Sequence, residues 1–227
     1  VAGLELEDGG RLVLAADRDR NALWIGRGRQ ALDWTAHDLG QGQEPIGMAV
    51  PPWTGPGDAR LACLSLRRSP ELLIAAIDGP DAGQVLQRFP VGGLSRSSVA
   101  AGHFGPERRP GVAVALWGGD PRDLNQAHQG RLVLAFPGPD GLLAEMTEVL
   151  AGVNSTDCVA GDFDGDGQDE LAVLNYGTGI GLPERRHPGD VRWYKYTGSA
   201  LRRIGRVRLS NPRIGLAVDL DRDGRDE

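Results

Sequence analysis

Asp162, Asp164 and Asp166 alternate with Phe163 and Gly165, Gly167 follows, and Glu170 stands just before the apolar run Leu171-Ala172-Val173-Leu174. Alternating carboxylates followed by glycine form a hard-cation pattern. Ca2+ takes about 6–8 oxygen ligands, and glycine permits the sharp turn that aims them at one point. Two carboxylates about 4 Å apart repel by roughly 4 kcal/mol at an effective dielectric near 20. Gathering four acids in one turn therefore calls for a counter-charge, which a divalent cation would supply. The competing reading is a solvated Asp-Gly hairpin whose acids splay into water. A second copy favours the cation: Asp219-Leu220-Asp221-Arg222-Asp223-Gly224-Arg225-Asp226-Glu227 repeats the pattern 57 residues later, again behind an apolar run, Ile214-Gly215-Leu216-Ala217-Val218.

An EF-hand would need a bidentate Glu at the twelfth position and helices on both sides. The twelfth residue from Asp162 is Val173, and the flanks 157–160 and 171–174 read as strands. The pattern Ala-Gly-Asp-Phe-Asp-Gly-Asp-Gly-x-Asp-Glu-Leu-Ala-Val resembles the FG-GAP/VCBS repeat of integrin-α-like β-propellers and of many bacterial secreted proteins. That resemblance implies a loop between the first and second strands of a blade that holds Ca2+. The ligands it implies are the side chains of Asp162, Asp164, Asp166 and Glu170 with the carbonyl of Gln168, and Asp219, Asp221, Asp223 and Glu227 with the carbonyl of Arg225. Both copies end on Glu where the family usually ends on Asp.

Internal repetition sets the expected architecture. Leu12, Leu61, Val112 and Leu171 each open an apolar run, at spacings of 49, 51 and 59 residues. Such a period holds four short strands with turns, the content of one propeller blade. The fold expected is therefore all-β, a propeller of four-stranded blades occupying 1–227. Its repeats are approximately 1–45, 46–95, 97–150 and 155–210, with a partial one at 214–227. Residues 1–48 read as starting part-way into a repeat, and the whole as about four blades of a longer, seven-bladed chain. The loops at 51–60 and 103–107 lack most of the carboxylates and are expected to be metal-free.

Composition narrows the function. The chain has 227 residues, with 34 Gly, 15 Pro and 5% aromatic residues, which suits a turn-dense β protein. Its net charge of −6 suggests no nucleic-acid partner. The longest apolar runs are far below the ~20 residues that span a bilayer. Cys63 and Cys158 sit in apolar runs of different repeats and read as buried thiols before a disulfide. His37, His103, His128 and His187 show no paired ligand spacing, and no Ser lies in a nucleophile elbow. The reading that follows is a non-catalytic, Ca2+-stabilised interaction or assembly module with a protein partner, extracellular, on the cell surface or periplasmic, and not an enzyme. The alternative is a carbohydrate-active protein, lectin or lyase, with the propeller as scaffold and a glycan as ligand. Long polar loops at 118–130 and 177–190, and Trp24, Trp34, Trp53, Trp117 and Trp193, are where a ligand would be held. Loss of sugar binding on Trp117→Ala would favour the alternative.

Overall fold

The computed structural model describes residues 2–5, 9–40, 44–67, 69, 71–92, 97–117, 128–178, 188–219 and 225–226. Among the described residues sixteen strands form four antiparallel sheets, each of four strands consecutive in the chain. The first sheet comprises β1 (Ala2–Glu5), β2 (Arg11–Asp17), β3 (Ala22–Gly28) and β4 (Asp33–Asp38). The second has β5 (Pro45–Ala49), β6 (Leu61–Leu66), β7 (Glu71–Ala76) and β8 (Val85–Pro90). In the third are β9 (Ser97–Phe104), β10 (Arg109–Leu116), β11 (Gln129–Pro137) and β12 (Leu143–Val153), and in the fourth β13 (Ser155–Gly161), β14 (Glu170–Asn175), β15 (Asp190–Tyr196) and β16 (Leu201–Arg208). Among the described residues the only helical element is a 3₁₀ turn, Pro56–Asp58.

Burial explains why the second strands read as unbroken apolar runs. In β6 and β14 every residue is buried, because both faces of the sheet are covered. Leu12, Leu14 and Ile25 pack on Ala62, Leu64 and Leu73 between the first and second sheets. Cys63 and Ile74 meet Val112 and Val133 between the second and third, and Ala113 and Leu134 meet Cys158 and Val173 between the third and fourth. Each fully buried Leu, Ile or Val contributes about 1.5–3 kcal/mol of transfer free energy, so consecutive sheets are fastened face to face. This is the stacking of a β-propeller, with each first strand inward and each fourth strand at the rim. The rim strand β16 carries Arg202, Arg203, Arg206 and Arg208, charges that oppose edge-to-edge pairing.

Two expectations change. The first sheet does not start part-way into its repeat, because Ala2–Glu5 pairs with 11–14 as a first strand. Ile214 to Val218 form no strand; they run along the outer face of the fourth sheet, where Gly215 N donates to Asp157 at 2.8 Å. Cys63 and Cys158 are free, buried thiols, and burial pushes Cys158 up to about 12. Among the described residues no helix is long and apolar enough to cross a membrane.

Candidate functional site

Strands β13 and β14 are joined by the acidic turn, and the turn is built around Asp162. Its carboxylate accepts from three backbone amides of its own loop, Gly165 at 2.8 Å, Asp166 at 3.0 Å and Gly167 at 2.7 Å. Gly165 and Gly167 have φ of 75° and 83°, a region that costs other residues strain. Asp166 accepts from the Gln168 amide at 3.0 Å and from its side chain at 2.9 Å. Each of Asp162, Asp164 and Asp166 then offers an oxygen within 4.8 Å of the others. Glu170, the first residue of β14, is fully buried and accepts from Phe163 N at 3.1 Å.

A cation already stands at this turn. The Lys195 ammonium, from β15, lies 2.8 Å from Asp164, 2.7 Å from Asp166 and 2.7 Å from Glu170. Burial alone would depress its pKa, but these carboxylates outweigh it and hold Lys195 above the ordinary lysine value. The hydrogen bond from Lys195 holds Asp166 below its usual range, whereas burial pushes Glu170 up against the pull of the same ammonium. Four carboxylates and one ammonium leave net negative charge in an all-oxygen donor set, and Glu170 Oε1 lacks an aligned hydrogen bond. The residues of this acidic cluster therefore fit a hard divalent cation.

The second predicted site is only partly in view. Asp221, Asp223 and Glu227 lie outside the described residues; Asp219 is half-buried, and the Arg225 side chain lies against Gly165 of the first turn. Asp226 makes a contact that sequence reading missed. Its amide donates to Asp162 O at 2.9 Å, and its carboxylate accepts from Asp162 N at 3.0 Å. Asp169, 57 residues earlier, does the same to His103 one sheet back, at 2.9 and 2.6 Å. The Asp next to the last acid of the pattern thus ties its own segment to the preceding sheet, and its recurrence in both copies was the available signal.

On the opposite face, where the second and third strands connect, a buried polar cluster had no motif to announce it. Asp190 accepts from Asn175 at 2.7 Å, Arg192 at 3.1 Å and Arg206 at 2.6 Å. Asn175 also faces Ser155 at 2.7 Å, and Asn154 Nδ2 donates to Gly177 O at 2.6 Å. Asn154 accepts from the His128 amide at 3.1 Å, while the buried Nε2 of His128 has no hydrogen-bond partner among the described residues. Trp117 and Tyr176 lie beside this cluster with ring centroids 6.4 Å apart, and Arg213 covers Tyr176 at 4.8 Å. Trp117 is buried, so the expectation that it is a sugar platform is corrected: it packs beneath the surface, and the more accessible ring is Tyr176. Asp120, Arg122, Asp123, Glu184, Arg185, Arg186 and His187 of the two long loops lie outside the described residues.

No protein-family model and no curated protein matches the chain. Among solved structures it is similar to the periplasmic gluconolactonase PpgL of Pseudomonas aeruginosa, at 16% identity and a TM-score of 0.57, over 93% of this chain and 55% of that one. The chain thus spans about half the length of the solved protein it matches. The likeness establishes the propeller fold, and it corrects two expectations, that this is a non-catalytic interaction or assembly module and that it is not an enzyme. Both rested on the lack of a linear motif, whereas the propeller it matches is an enzyme. A propeller brings polar groups together from the ends of several sheets, as His128, Asn154, Asn175 and Asp190 are here, and no spacing in the chain records that.

Proposed function

We propose that this chain is a carbohydrate-active propeller whose ligand is a sugar or sugar lactone, bound on the face that carries His128, Asn154 and Tyr176. The observation that carries the reading is the match to a gluconolactonase over 93% of the chain. The polar cluster supports it: a buried imidazole nitrogen with no partner among the described residues is suited to accept a proton from water, and half-buried Tyr176 stands beside the cluster under Arg213. On this reading the acidic turn is a Ca2+ site of FG-GAP/VCBS type that stiffens the other face, and the protein works in the periplasm or outside the cell, where calcium is plentiful. The test is acid release from glucono-1,5-lactone by the full protein, with a glycan array in parallel. His128→Ala should lower kcat by roughly 10²-fold or more with the fold unchanged. Neither turnover nor saturable sugar binding by the wild type would remove the reading.

A further inference from the structure

Register places one position beside three of the turns between first and second strands. Leu61 pairs with Ala76, Val112 with Ala135 and Leu171 with Tyr194. The next residues along are Ile77, Phe136 and Lys195; Phe136 and Lys195 hold equivalent places, whereas Ile77 turns to the first sheet, on the opposite face from Phe136. Ile77 and Phe136 are buried apolar side chains next to turns that have lost most of their acids. Only next to the four-acid turn does the position carry a charge. Lys195 is also the single lysine among 25 basic residues. Arginine's planar fork suits one carboxylate held bidentately, whereas a compact ammonium with three donors suits three separate carboxylates, the arrangement found here.

We propose that Lys195 is the resident cation of the acidic turn: it holds the turn closed without a divalent ion, and a divalent ion enters only by displacing it. The second half rests on the calcium reading above. An incoming ion needs the oxygens of Asp164, Asp166 and Glu170 at about 2.3–2.6 Å, and these are the atoms within 2.8 Å of the ammonium. The two cations cannot share them. Lys195 thereby sets the concentration at which the turn takes up calcium, and uptake frees a half-buried amine.

The single lysine makes the test direct. Acylation of the full chain with an acetyl N-hydroxysuccinimide ester, read by mass spectrometry of the Lys195 peptide, reports this amine apart from the chain terminus. In chelator Lys195 should acylate slowly, and saturating Ca2+ should accelerate it roughly tenfold. Lys195→Met should melt about 4 °C lower than wild type in chelator and bind Ca2+ roughly tenfold tighter by calorimetry. Equal melting in chelator overturns residence; equal calcium affinity, or acylation indifferent to saturating Ca2+, overturns displacement. Calcium binding by neither protein defeats the calcium reading and displacement together, while the melting comparison still decides residence. Should Lys195→Met not fold, slow acylation of the wild type in chelator supports residence, and a rate equal to that of a free lysine overturns it.

Discussion

In the β9–β10 turn the chain reverses over Gly105 to Arg108, with Arg108 N donating to Gly105 O at 2.8 Å, and Phe136 packs beneath it with its ring 4.9 Å from Tyr196. In the next sheet the β13–β14 turn runs from Asp162 to Asp169, its amides satisfied by its own carboxylates and its underside occupied by the Lys195 ammonium. Both turns link a first strand to a second at the same end of adjacent sheets. One is closed by apolar packing and a tight backbone turn, the other by charge. The contrast teaches that the carboxylates and the residue beneath them form a unit. A turn that keeps its acids needs a cation under it, and one that has lost them can be sealed by a ring such as Phe136. Charge held this way responds to salt, pH and metal, whereas a packed ring does not.

The contrast can be broken most directly at Phe136. Phe136→Ala should cost about 4 kcal/mol in urea unfolding, with the same loss in chelator and in calcium; a calcium-dependent loss would erase the distinction. Glu170→Ala should come next, at about 3 kcal/mol, because it removes one member of a buried ion pair and strips Phe163 N of its acceptor. Unlike the first, this loss should alter the response of the melting temperature to Ca2+. Asp162→Asn keeps the shape but weakens the charge-assisted bonds to Gly165, Asp166 and Gly167, at about 1–2 kcal/mol. Glu107→Gln, on the exposed tip of the plain turn, should stay within about 0.5 kcal/mol.

Acid sharpens the comparison further. Asp166 has its pKa lowered in the fold by Lys195, so its contribution is present above the ordinary carboxylate value of 3.8 and is lost as pH falls through the lower folded value. Glu170 acts with the opposite sign. Burial raises its folded pKa, so its contribution is fully present below the ordinary 4.5 and is lost as pH rises through the folded value. The stability difference between wild type and Asp166→Asn should therefore shrink below about pH 4 and stay flat above it. Urea midpoints measured from pH 3 to pH 7 check this, and a difference that grew on acidification would reverse the sign assigned to Lys195.

The strands were legible because a propeller repeats one local rule. Leu61, Val112 and Leu171 each open an apolar run long enough for a doubly covered strand, and in the structure each lies in the second strand of its sheet. Where the pattern is weak, reading failed: Ala2–Glu5 is too short to stand out from one chain, and Ile214 to Val218 look like a strand but pair with no strand among the described residues. The acidic turn was equally legible, because Asp162, Asp164 and Asp166 are neighbours in the chain and glycine fixes where they point.

The sequence by itself determined what depends on near neighbours: the all-β period, the glycine-bearing turn, the three aspartates that converge and the two thiols that stay buried. Only the tertiary structure decided what depends on residues far apart. It set Lys195 under the turn from 31 and 29 residues away from Asp164 and Asp166, joined Asp169 to His103 across a sheet boundary, and brought His128 and Asn154 to one face. The physical reason is that register and sheet stacking, which the burial of long apolar runs fixes, choose the partners of a charged side chain, while the spacing of that side chain along the polypeptide carries no trace of them.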